Sequence, residues 1–226
     1  FDLGIVGNKL KQPLANILCS INEGNLTPLK DNCGFPFGPE LTLGHYLSSK
    51  SSASTSLIKV AYGGTDLEND WLSPSAVDGN SQVGELYETL ADKIDSLKVK
   101  PESIHPDCAK STCQWSAFIW FQGEADSFLY STANDYEKNL KSLIFDVRTK
   151  VGTSNLPVVI VEIGHWAKTL DFGEQVATAQ QKIANEDPNI MLVNTDDLSR
   201  FFHYDPAAQM IIGERIGVAL DNLLNK

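Results

Sequence analysis

Ala117-Phe118-Ile119-Trp120-Phe121-Gln122-Gly123-Glu124-Ala125-Asp126 changes character at its midpoint. The first half is a continuous apolar run, rich in aromatic residues, and it reads as a strand covered on both faces, because a strand with one wet face alternates apolar with polar residues. The second half sets an amide, a glycine and two carboxylates directly after that strand. Leu57–Tyr62, Val158–Ile163 and Ile190–Asn194 have the same nearly unbroken apolar character. Helical patterns lie between and after them. Tyr136, Leu140, Leu143, Ile144, Val147 and Val151 share one helical face, while Glu137, Lys138 and Lys141 fall elsewhere. Asp205-Pro206 supplies an N-cap and a first-turn proline, and Ile211, Ile212, Ile216, Ala219, Leu220, Leu223 and Leu224 then form an apolar face. Strand–helix alternation predicts an α/β protein, a three-layer α/β/α sandwich on a parallel, flavodoxin-like sheet, with residues 1–226 as a single domain.

Composition narrows the function classes. Eighteen Lys and Arg against 29 Asp and Glu give a formal charge of −11, the wrong sign for tracking a nucleic-acid backbone or an anionic membrane. Apolar runs such as Pro157–Val161 fall far short of the roughly 20 residues that span a bilayer. The cysteines at 19, 33, 108 and 113 lack the paired spacing and extra ligands of a zinc site, so no metal or other cofactor is expected. Their even number suits disulfides, with Cys108 and Cys113 closing a short loop, and Asn25-Leu26-Thr27 is a glycosylation acceptor triplet. These features point to a secreted, extracellular glycoprotein.

In open α/β sheets ligands bind at the carboxyl ends of the strands. Gly63-Gly64-Thr65 follows the Leu57 strand, Gly164-His165-Trp166 follows the third, and Asp196-Asp197 leads from the fourth towards His203. Glycine N–H groups approach a ligand closely, as an oxyanion hole requires, and no Gly-Lys-Ser/Thr follows to make a phosphate loop. The Gln122 amide is a second candidate donor to an oxyanion, Glu124 a candidate orienter of an imidazole, and His203 a candidate general base with His165 as its rival. Asp126 reads as the cap of the next helix. His45 sits in a helical-looking segment and His105 in a proline-flanked loop.

Taken together these segments resemble the SGNH hydrolases, and more narrowly the sialate O-acetylesterase and acetylxylan esterase group, carbohydrate esterase family six. Gly38-Pro39-Glu40 with the helix after it, Ala61–Thr65 with Trp71, Trp120–Asp126, Tyr136–Arg148 with Leu156-Pro157, Ala179-Gln180, and His203 with Ala208-Gln209 and Gly213-Glu214-Arg215 are similar to successive blocks of that family. The resemblance implies a serine-type carbohydrate esterase that removes acetyl groups from O-acetylated sugars. His203 would be its base, Gly63 or Gly64 and Gln122 its oxyanion donors.

Two positions depart from the family pattern. The nucleophile block G-x-S-N-M is missing. Ser20 copies only the spacing to Gly24, with Leu18-Cys19 where glycine should stand, so the serine is expected upstream of Phe1. Arg200 stands three before His203, where the family has Asp, and Arg accepts no imidazole N–H. Glu124 then becomes the expected third member, with Asp197 and Asp205 behind it. The resemblance also implies five strands with the nucleophile-bearing strand internal, against the four recognised here. An empty internal seat would strand two rows of backbone N–H and C=O groups. A separate N-terminal peptide carrying the serine is therefore expected to complete the sheet, with Leu3–Val6 as the other way of filling it. The alternative to an esterase is a catalytically inactive glycan-binding or structural relative that kept the fold.

Overall fold

The computed structural model describes residues 2–7, 18–20, 26–28, 38–50, 55–103, 108, 113–198 and 203–225, the first three of these segments as backbone. A five-stranded sheet forms the centre. It comprises β1 (Asp2–Gly7), β4 (Thr55–Val60), β5 (Gln114–Trp120), β6 (Val158–Val161) and β7 (Ile190–Val193), in the spatial order β4-β1-β5-β6-β7. β2 (Leu18–Ser20) and β3 (Leu26–Pro28) pair antiparallel as a second, two-stranded sheet. The helices are α1 (Glu40–Lys50), α2 (Glu85–Val99), α3 (Tyr130–Val151), α4 (His165–Lys168), α5 (Gly173–Glu186) and α6 (Pro206–Leu224). All four strands expected from apolar runs are present.

Those four run in one direction, whereas β1 runs against them. β5 pairs parallel with β6, and β6 with β7. β1 is antiparallel to β4 on one side and to β5 on the other. The internal seat is thus filled from within the chain. Asp2 lies opposite Val60 and Trp120, at the carboxyl ends of both neighbours, and Gly7 lies opposite Thr55 and Gln114. The strand order is that of a flavodoxin-like sheet. A parallel first strand is not among the described residues.

The pleat sorts the strand side chains into two cores. Phe118, Trp120, Val158 and Ile160 face α2, α3 and α5, where Leu90, Ile94, Tyr136, Leu140, Leu143, Val176 and Ile183 meet them. Ala117, Ile119, Phe121, Val159 and Val161 face α1 and α6, against Leu43, Ile212, Ile216 and Leu220. Both faces are covered, which is why the strand sequences show no alternation. α6 starts as its sequence predicts, with Pro206 in the first turn and the Asp205 carboxylate accepting from Ala208 N at 2.8 Å.

Two parts of the family-like stretch serve the scaffold. Asp146 accepts from Ser75 N at 2.8 Å and Ser75 Oγ at 2.6 Å. Arg148 donates to the Leu156 carbonyl from Nε (3.1 Å) and Nη2 (3.0 Å) and pairs with Asp187 at 2.6 Å, fastening α3 to the start of β6. Gly213 has a similar task. A β-carbon there would come within 2.1 Å of Thr42 Oγ1 and 2.2 Å of the Pro39 carbonyl, so its bare α-carbon lets α6 cross close to α1.

Cys108 and Cys113 are disulfide-bonded. Cys33, Asn25, His105 and Arg200 lie outside the described residues, as do the side chains of Cys19 and Ser20. No helix among the described residues is long and apolar enough to cross a membrane. We expect Gly213→Ala to force α1 and α6 apart and lower stability by roughly 1–3 kcal/mol, read from urea unfolding. An unchanged midpoint would contradict the close crossing.

Candidate active site

The loops leaving β4 and β5 flank the seat of β1, and a buried polar network joins them. Gln122, immediately beyond β5, is its hub. Its side-chain Nε2 donates to the Thr65 carbonyl at 2.9 Å and to Asp126 Oδ2 at 2.5 Å. The Gln122 carbonyl accepts from Tyr136 OH at 2.8 Å and from Gln180 Nε2 at 3.0 Å. Gln180 reaches onward, accepting from Ile163 N at 2.9 Å and donating to Tyr136 OH at 3.1 Å, and Trp120 Nε1 also donates to that hydroxyl at 3.1 Å. Strand ends β5 and β6 and helices α3 and α5 are thereby bound to one residue.

Asp126 closes the link to the other loop. Its carboxylate receives Leu67 N on both oxygens, at 3.1 and 3.2 Å, and has no exposed surface. It does not cap a helix through its side chain: the residue before α3 is Leu129, with no side-chain cap. Corrected for this, Asp126 is the pin between the two loops. Burial pushes its pKa up to about 7, against the lowering effect of the hydrogen bonds from Gln122 and Leu67 N. Gly123 completes the turn at φ +147°, where a β-carbon would lie 2.8 Å from Ile163 Cγ2 and 3.0 Å from Val176 Cγ1. Only glycine fits there.

Gly63 and Gly64 stand exposed after β4, Gly64 at φ +73°. Their N–H groups make no hydrogen bond among the described residues. Gln122 differs. Both its N–H bonds are committed, and its Oε1 is buried without a partner among the described residues. Turning the amide over would set Oε1 against the Thr65 carbonyl and the Asp126 carboxylate, so the observed orientation is the one its acceptors dictate.

His203 is exposed and precedes α6. Its neighbour Tyr204 anchors it to the same edge of the sheet, with the ring 5.5 Å from that of Phe121 and the hydroxyl 2.6 Å from Thr195 Oγ1. Of the expected carboxylates, Asp197 is held by Arg215 at 2.7 and 2.8 Å, and Asp205 caps α6. Glu124, half-buried beside Gln122, has no such commitment among the described residues. His165 begins α4 and is exposed.

Sequence reading did not single out Glu162, at the end of β6 with no exposed surface. It accepts from Asn194 Nδ2 at 2.6 Å and pairs with Lys168 at 3.2 Å, while Lys168 also holds Asp196 at 2.8 Å. The signal was a carboxylate inside an otherwise apolar strand. No group of three or more His, Cys, Asp or Glu among the described residues stands ready to hold a metal ion. A groove of about 450 Å³ between α3 and α5, lined by Phe145, Arg148 and Asp187, lies away from these loops.

The family model for "carbohydrate esterase, sialic acid-specific acetylesterase" matches residues 12–222. The chain belongs to this family. Two solved structures share its fold. A protein of Arabidopsis thaliana superposes with a TM-score of 0.72 at 20% identity, covering 94% of this chain and 83% of that one. A novel carbohydrate acetylesterase from Xanthomonas citri superposes with a TM-score of 0.68 at 17% identity, over 95% of this chain and 46% of that one. No curated protein matches the chain.

Within this family member the pin carries a pH signature. Between about pH 4 and pH 7 the folded chain keeps an Asp126 proton that the unfolded chain has released, so stability falls as pH rises through that window. Asp126→Asn should flatten that slope in thermal melts. An identical slope in the variant would show that Asp126 does not titrate there.

Proposed function

We propose that the chain is the larger part of a serine-type carbohydrate O-acetylesterase that removes acetyl groups from O-acetylated sugars. One observation carries this reading: the Gly63-Gly64-Thr65 turn and the Gln122–Asp126 block are pinned together beside the internal seat of the sheet that β1 fills. A serine on a parallel strand in that seat would emerge between them, since Asp2, at the same end of the seat, lies opposite Val60 and Trp120. The nucleophile belongs, on this reading, to a separate N-terminal peptide from upstream of Phe1 that takes the place of Asp2–Gly7. The Cys108–Cys113 disulfide and the Asn25 triplet support a secreted glycoprotein.

His203, as the neutral imidazole, takes the serine proton while Oγ attacks the acetyl carbonyl. The oxyanion accepts from the N–H of Gly63 or Gly64, and Gln122 joins once it exchanges its bond to Thr65. The imidazolium, oriented by Glu124, then protonates the departing sugar oxygen as the bond between it and the acetyl carbon breaks. Water, deprotonated by the same imidazole, attacks the acetyl-enzyme; the acyl–Oγ bond breaks, the imidazolium returns the proton to the serine Oγ, and acetate leaves.

A second reading is a glycan-binding relative without turnover, favoured by the engagement of both Gln122 N–H bonds. p-Nitrophenyl acetate hydrolysis by the intact native protein separates the two. The esterase reading expects turnover that falls at least about 100-fold in His203→Ala. Equal turnover in the variant contradicts it, and glycan binding without any turnover supports the second reading.

A further inference from the structure

Tyr204 ties the residue next to it to three strand ends. Its ring lies 5.5 Å from that of Phe121, just beyond β5, and its hydroxyl stands 2.6 Å from Thr195 Oγ1, just beyond β7. Thr195 Oγ1 in turn donates to the carbonyl of Glu162, just beyond β6, at 3.0 Å. A threonine hydroxyl has one hydrogen, and this one is spent on Glu162. Tyr204 is therefore the donor and Thr195 its acceptor, in a directed series that ends on a backbone carbonyl and in which each bond polarises the next. Thr195 has no exposed surface and Phe121 is buried. Both contacts hold Tyr204 from the protein side.

The chain around this clamp is fixed as well. Asp205 accepts from Ala208 N at 2.8 Å and so starts α6, while Arg215 reaches back from α6 to the Asn194 carbonyl at 2.8 Å and to Asp197 at 2.8 and 2.7 Å. Lys168 joins Glu162 to Asp196, at 3.2 and 2.8 Å. His203 stands exposed, one residue from Tyr204. Its backbone is placed through that neighbour, whatever the imidazole itself touches. Arg200, three residues earlier, brings no carboxylate to orient the ring, which makes the placement of the backbone count for more. A misplacement of about 1 Å can cost about 100-fold in rate.

We propose that Tyr204 is the positioning residue of the general base: held between the Phe121 ring and the Thr195 hydroxyl, it sets where the His203 imidazole stands at the carboxyl edge of β5, β6 and β7. Its part in turnover rests on the esterase reading; the placement of His203 does not.

The test compares the intact native protein with its Tyr204→Phe, Thr195→Val and Thr195→Ser variants on p-nitrophenyl acetate. Tyr204→Phe keeps the ring on Phe121 and removes only the hydroxyl. We expect its kcat to fall about tenfold with KM unchanged, and the imidazole limb of its kcat/KM pH profile to stay where it is, because the hydroxyl acts on position and not on charge. Thr195→Val should copy the loss, and Thr195→Ser, which keeps the oxygen, should recover most of kcat. An unchanged kcat in Tyr204→Phe, a fall matched by loss of folded protein, or a shifted limb overturns the proposal. If the wild type turns over no ester, the esterase reading fails, and the clamp is judged by NMR of histidine labelled with nitrogen-15, the His203 signals being those that vanish in His203→Ala. One sharp set in the wild type that broadens or splits in Tyr204→Phe supports the clamp, and identical signals overturn it. Should Thr195→Val not fold, Tyr204→Phe alone carries the same comparisons.

Discussion

Asp126 has to be satisfied where water does not reach it, and the way this is done shapes the whole carboxyl edge of the sheet. Leu67 N–H comes to it from the loop after β4 and the Gln122 amide from the loop after β5. Removing either donor would leave a buried acceptor unmet, at about 1–3 kcal/mol. The carboxylate therefore fixes the spacing of two loops that the chain separates by more than fifty residues. Gln122 extends the fixation inward, because its carbonyl is held by Tyr136 and Gln180 from two different helices. Gly123 permits this only because its α-carbon is bare.

The same constraint supplies the link from packing to chemistry. With the loops pinned, the N–H groups of Gly63 and Gly64 make no hydrogen bond among the described residues and stand next to the seat of β1, and Tyr204 keeps His203 on that edge by packing on Phe121. A preorganised donor costs no reorganisation when charge develops on a substrate oxygen. The antiparallel direction of β1 sets this chain's sheet apart from a wholly parallel one. A strand entering the seat in the opposite sense would pair with β4 and β5 through parallel ladders instead and deliver its carboxyl end to the pinned loops.

Much of this was legible in the amino-acid sequence, for identifiable reasons. The strands at 117–121, 158–163 and 190–194 declared themselves because burial on both faces erases alternation. Asp205-Pro206 marked α6 because capping is local. The polar residues after each strand were legible for the same reason, being contiguous in the chain. What escaped depends on distance. Gln180 meets Gln122 across 58 positions and Leu67 meets Asp126 across 59, and no local pattern encodes such meetings. Asp126 consequently looked like a helix cap, and Gly213 like part of a motif, when its task is the clearance of α1.

We propose that this chain is one part of a serine esterase whose nucleophile lies in another segment and is activated by His203. Labelling the native protein with a fluorophosphonate, followed by peptide mass mapping, tests that most directly. The predicted result is a single adduct on a serine outside Phe1–Lys226, lost in His203→Ala. An adduct on a serine within the chain, such as Ser20, or none at all, would contradict it.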